Sequence, residues 1–147
     1  MKIKQSTFYA FRILYRIHLE EDRITTSKEI AEKEGISQGV TLKTARVLAR
    51  AGMLHTHQGR GQVCGGFSLA KSIDEITMAE VTKVLEGLDI RINLDESSRK
   101  REGALCQACS EINIYLEELL SQYSIRTLFE GGGESSVTTT KRQPDEA

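Results

Sequence analysis

The sequence predicts a mainly α protein with one small β-hairpin: a winged helix-turn-helix followed by a long C-terminal helix. Three observations predict it. Apolar residues recur at helical steps in the first 50 residues, in segments separated by hydroxyl caps and glycines. A glycine-rich stretch flanked by two short β-prone runs follows them. A further apolar seam, Ile112, Leu116, Leu119 and Tyr123, then marks a long helix.

Phe8, Phe11, Ile13, Leu14, Tyr15 and Ile17 place the first helix at about residues 6–20, and Glu21, Asp22 and Arg23 end it. Thr25, Thr26 and Ser27 offer hydroxyl caps to a short second helix from Lys28 to Glu32, with Gly35 in its closing turn. Ser37 caps a third helix that runs to Ala51, where Gly52 stops it. Two helices joined by a Gly-containing turn are the shape of a helix-turn-helix. Met53 to His57 and Phe67 to Leu69 read as strands around a loop containing Gly59, Gly61, Gly65 and Gly66. Thr77 caps a helix containing Met78, Val81, Val84 and Leu85, which ends at Gly87. The domain boundaries that follow are 1–87 for the winged helix, 88–104 for a polar loop, 105–130 for the long helix and 131–147 for a disordered tail.

Charge is divided along the chain. Residues 1–71 hold 12 Lys and Arg against 6 Asp and Glu, a net of +6. Residues 72–147 hold 8 against 15, a net of −7, so the formal total is −1. A basic front half suits approach to a polyanion. No apolar run reaches the ~20 residues of a membrane span, and the first residues lack a signal-peptide core, so the expected compartment is the cytoplasm with reduced thiols.

In a helix-turn-helix the second helix enters the major groove, and helix N-termini present amides to phosphate. Ser27 and Lys28 begin the first helix of the pair; Ser37, Gln38 and Gly39 begin the second. Glutamine can read adenine by two hydrogen bonds. Lys43, Arg46 and Arg50, at steps of 3 and 4, form one basic stripe along the third helix. Arg60, between Gly59 and Gly61, is suited to a narrow minor groove. These nine residues are the expected contacts to double-stranded DNA; a solvated basic face on an ordinary bundle is the alternative.

Residues 1–88 resemble the Rrf2 family of bacterial winged-helix regulators. The resemblance rests on Ser27-Lys28-Glu29-Ile30-Ala31-Glu32, Gly35-Ile36-Ser37, Leu48 to Leu54, Gly65 to Ala70, Glu75-Ile76-Thr77 and Leu85-Glu86-Gly87, in family order. It implies a homodimer on a roughly palindromic operator, usually repressing, with the long helix (Ile112, Leu116, Leu119, Tyr123) forming most of the dimer interface. It places base and phosphate contacts on Ser37, Gln38, Gly39, Lys43 and Arg60. The chain departs from the family pattern at Val40, Thr41, Thr44 and Ala45, where an aromatic and aliphatic residues are usual, and by about one extra residue in the wing.

Many family members hold an iron–sulfur cluster on three cysteines before the long helix. Here that region offers only Cys106 and Cys109, as cluster or metal ligands, as a thiol switch, or as unliganded thiols. His55 and His57 share a strand face and, with Cys64, form a weaker zinc candidate; contact with DNA or solvent beside the phosphate backbone is the commoner role of such histidines. Two other functions stay open: a protein-interaction module using the winged helix, and a thiol-redox protein using Cys106 and Cys109. The redox motif normally follows a strand in a βαβ unit, which the chain lacks. No constellation of catalytic residues stands out, so an enzyme is not expected.

Overall fold

The computed structural model describes residues 2–21, 23–59, 65–87, 100 and 102–131. Arg60, Cys64, most of the expected loop at 88–104 and the expected tail beyond Gly131 therefore lie outside the described residues.

Helix α1 (Gln5–Leu19) is the central rod. Its Ala10, Ile13, Leu14 and Ile17 are fully buried, and the other elements collect around them. Helix α2 (Ser27–Glu34) starts at Thr26, whose hydroxyl accepts from the Glu29 amide at 3.1 Å, and ends at Gly35 with φ +65°. That left-handed turn disfavours other residues. Helix α3 (Gln38–Arg50) is capped by Ser37, which accepts from the Val40 amide at 3.3 Å. Ala45 and Leu48 on its inner face join the core with Thr41 and Thr44 beside them.

Strands β1 (Leu54–His57) and β2 (Gly66–Leu69) pair antiparallel, with Leu54 opposite Leu69 and His57 opposite Gly66. Thr25 adds a third edge: it exchanges two 2.9 Å backbone hydrogen bonds with Phe67. Thr25 thereby ties the start of α2 to the base of the wing. The glycine before Phe67 is required by this packing, because a Cβ on Gly66 would stand 2.6 Å from the Thr25 carbonyl oxygen.

Helix α4 (Met78–Leu85) is capped by Thr77. The segment expected as one helix at 105–130 is two. Helix α5 spans Gly103–Ser121, and helix α6 spans Ile125–Glu130. Between them the backbone turns to pair with residues 76–78. Met78 N–H donates to the Tyr123 carbonyl at 2.8 Å, and Ile125 N–H donates to that of Ile76 at 2.9 Å. Ser124 then caps α6, and Ile125 is wholly buried in the core. These partners replace the hydrogen bonds that a continuous helix would have made. Helix α6 lies back on α1, with Phe129 stacked on Tyr15 at 4.5 Å between ring centroids. Desolvation, followed by the hydrogen bond from Tyr15 to Glu130, holds the Tyr15 phenol above its ordinary value.

Candidate nucleic-acid interface

Helix α3 presents one face to the core and the other to solvent. Thr41, Thr44, Ala45 and Leu48 are buried; Ser37, Gln38, Gly39, Val40, Lys43, Arg46 and Arg50 are exposed. The basic stripe is thus an outward-facing surface of the helix. Lys28, at the start of α2, is exposed as well, and Ser27 beside it is half-buried.

The cations divide by what they meet. Arg12 and Arg16 both grip Glu34, at 2.9 and 2.7 Å. Arg23 and Lys33 hold Glu20, and Arg126 bonds Asp74 at 2.6 Å. Among the described residues no acid pairs with Lys28, Lys43, Arg46 or Arg50. Unpaired cations gathered on one helix face leave their charge available to an external anion.

The wing meets this surface at β1. Arg46 and Arg50 border a shallow cleft with Thr56, and on its other side Arg46 faces a second cleft bounded by Ser27, Thr56 and His57. His57 Nε2 lies 2.7 Å from Ser68 Oγ across the hairpin, so that ring is positioned by a strand neighbour. His55 is exposed. The structure therefore brings Ser27, Arg46 and Arg50 to the angle between the helices and the wing, with Ser37, Gln38, Gly39 and Lys43 at the free end of α3. Thr56 and His57 also line that angle; the sequence marks His57 as a zinc candidate or a DNA- or solvent-facing histidine, and Thr56 is the one it does not single out. Its strand position opposite Phe67 was the available signal.

Cys106 and Cys109 lie in the first half of α5, both half-buried and free. Among the described residues no group of three or more His, Cys, Asp or Glu side chains is arranged to hold a metal ion. Cys106 and Cys109 supply two thiolates, half of the four-ligand set of an iron–sulfur cluster, and the remaining ligands would have to come from outside the described residues of one chain. The described residues do not bring His55 and His57 into a metal site either.

Helix α5 has no buried residue along its 19 positions. Cys106, Cys109, Asn113, Leu116, Leu120 and Tyr123 are half-buried and form one stripe. An adjacent stripe of Leu105, Ala108, Ile112, Tyr115 and Leu119 is exposed, with Tyr115 at 71%. The four expected interface residues thus fall on two stripes: Ile112 and Leu119 face out, whereas Leu116 and Tyr123 are half-covered.

The Rrf2 family model, described as an iron-dependent transcriptional regulator, matches residues 3–131. The chain belongs to the Rrf2 family. Among curated relatives, protein rrf2 of Nitratidesulfovibrio vulgaris is 29% identical over 99 residues, 67% of this chain and 64% of that protein. Protein aau3 of Rhizobium meliloti is 34% identical over 86 residues, 58% of this chain and 54% of its own length. The matches span less than two thirds of either relative.

Solved structures agree on the fold. The global cysteine regulator CymR of B. subtilis superposes with a TM-score of 0.63 at 23% identity, covering 90% of this chain and 99% of that one. IscR of T. potens gives 0.60 at 22% identity, covering 92% and 91%. The matched family is one of transcriptional regulators rather than enzymes. No helix among the described residues is long and apolar enough to cross a membrane.

Proposed function

We propose that this Rrf2 protein is a sequence-specific DNA-binding regulator of transcription, acting as a homodimer on a roughly palindromic operator and serving chiefly as a repressor. The observation that carries the reading is the outward face of α3, where Lys43, Arg46 and Arg50 stand exposed without an acidic partner among the described residues. Ser37, Gln38, Gly39 and Lys43 meet base edges and nearby phosphates in the major groove. Ser27, Lys28, Arg46 and Arg50 hold the backbone on either side, and Arg60 of the wing enters the adjacent minor groove. Dimerisation uses the exposed stripe of α5, because an apolar row of this length is otherwise left in water.

Titration of a duplex library with rising salt tests the reading. Each phosphate neutralised releases counterions, so the logarithm of affinity falls linearly with the logarithm of salt. Combined replacement of Lys43, Arg46 and Arg50 by alanine is expected to make that line shallower by roughly one unit for each phosphate no longer neutralised. A flat response in the unaltered protein would favour a protein-binding winged helix instead.

A further inference from the structure

The start of α3 breaks two local rules that folding alone would keep. Ser37 is its N-cap, which makes Gln38, Gly39 and Val40 the first three helical positions. Glutamate or glutamine is favoured at the third, where its side chain bonds back to the cap amide and its charge suits the helix dipole. Here that position is valine, 39% exposed and β-branched. The position before it is glycine, which weakens a helix relative to alanine. Nothing inside the subunit requires it: Gly39 has a helical backbone, and a Cβ there would meet no atom within 4 Å.

The apolar residue is also out of place on its surface. Among the described residues, the other exposed large hydrophobic side chains lie on α1, α4, α5 or α6, or at Ile3 and Ile24. Val40 stands alone among Ser37, Gln38, Gly39 and Lys43 on the face assigned to DNA. Departures from local preference without an internal compensation mark positions shaped by a ligand. A glutamate at position 40 would repel phosphate, whereas a branched aliphatic group there offers a dry contact. In the major groove the apolar group on a base edge is the 5-methyl of thymine.

We infer that Val40 is a specificity-determining residue that packs on a thymine 5-methyl group, with Gly39 removing the side chain that would hold the helix away from that base. The inference rests on the DNA-reading function proposed above. It gives the Gly39–Val40 step a role distinct from that of the basic stripe. Lysine and arginine supply affinity for any duplex, while Val40 distinguishes thymine from the same base without its methyl group.

The test uses the full chain and a duplex selected by it from a random library. Each thymine of that duplex is replaced singly by deoxyuridine, which deletes only the methyl group. Binding is expected to weaken about four-fold at one position per half-site, the effect of exposing roughly one buried methyl. The Val40→Ser variant is expected to bind the thymine and uracil duplexes equally, with an unchanged melting temperature. Selected duplex binding with no methyl-sensitive position overturns the inference, and so does a Val40→Ser protein that keeps the full sensitivity. Absence of any salt-dependent duplex binding would overturn the regulator reading itself, and this inference with it.

Discussion

Ser37 and Gly66 show two ways in which one residue positions the DNA-facing surface. Ser37 satisfies the Val40 amide, one of the donors that the first turn of α3 leaves without an intrahelical partner. Ser37→Ala is expected to cost about 1 kcal/mol in chemical denaturation. Because Ser37 is itself an expected contact, its loss should also lower duplex affinity by more than the stability change explains. Gly66 acts through space. Thr25 approaches so closely that an added methyl group would meet its backbone carbonyl, with the oxygen at 2.6 Å and the carbon at 2.8 Å, before any side chain. Gly66→Ala is therefore expected to destabilise the subunit by ~1–3 kcal/mol. Part of that loss should appear as an altered wing, visible in the amide spectrum of β1 and α2. A variant that melts with the unaltered protein would mean that the Thr25 edge is not held.

Among the elements, α5 and α6 carry the clearest contrast between buried and available apolar surface. Ile125 anchors α6 in the core, and Ile125→Ala is expected to cost about 2–5 kcal/mol by urea denaturation. Paired changes on the outer stripe, Ile112→Asp with Leu119→Asp, should instead give a well-folded monomer by light scattering, with helical content kept. A dimer that survives them would place the interface elsewhere. The caps of α2, α3 and α4 were legible in the sequence because Thr26, Ser37 and Thr77 each act on an amide three residues ahead. The hairpin was legible because Gly65 and Gly66 separate two short β-prone runs. The α5–α6 break was not, since it depends on pairing between residues 76–78 and 123–125, which has no local period. The same limit hid the Thr25–Phe67 edge. A 3.6-residue repeat also cannot separate two neighbouring apolar stripes, so Leu116 and Tyr123 read together with Ile112 and Leu119 until the fold covered one pair. On α3 the exposed basic stripe was legible because Lys43, Arg46 and Arg50 recur at helical steps of 3 and 4. What the steps could not show was that its cations meet no acid among the described residues, which depends on where Glu20, Glu34 and Asp74 fall in space.

Across the whole molecule, the cations divide into those committed to the fold by a carboxylate and those that meet no acid among the described residues. Two of the carboxylates that do the committing are held below the usual range: Glu20 by hydrogen bonds from Lys33 and then Arg23, Asp74 chiefly by the one from Arg126. Such a group binds its proton more readily in the unfolded chain than in the folded one. Its stabilisation is whole above the unfolded value, near 4, and is lost as the pH falls through the lower folded value. The urea midpoint is thus expected to be level from about pH 7 to 5 and to decline below about 4. Each pair keeps at least one partner open to solvent, Arg23 in the first and Asp74 in the second, so the decline attributable to either is modest. Asp74→Asn isolates one of them. It removes the charge that Arg126 faces while keeping a hydrogen-bond acceptor, so it should lower the neutral-pH midpoint slightly and make the acid limb shallower. A variant with an acid limb as steep as that of the unaltered protein would show that the Asp74–Arg126 pair does not link α6 to the winged helix in solution. Because Lys43, Arg46 and Arg50 take no part in either pair, the salt dependence of duplex binding at neutral pH should be the same in both proteins.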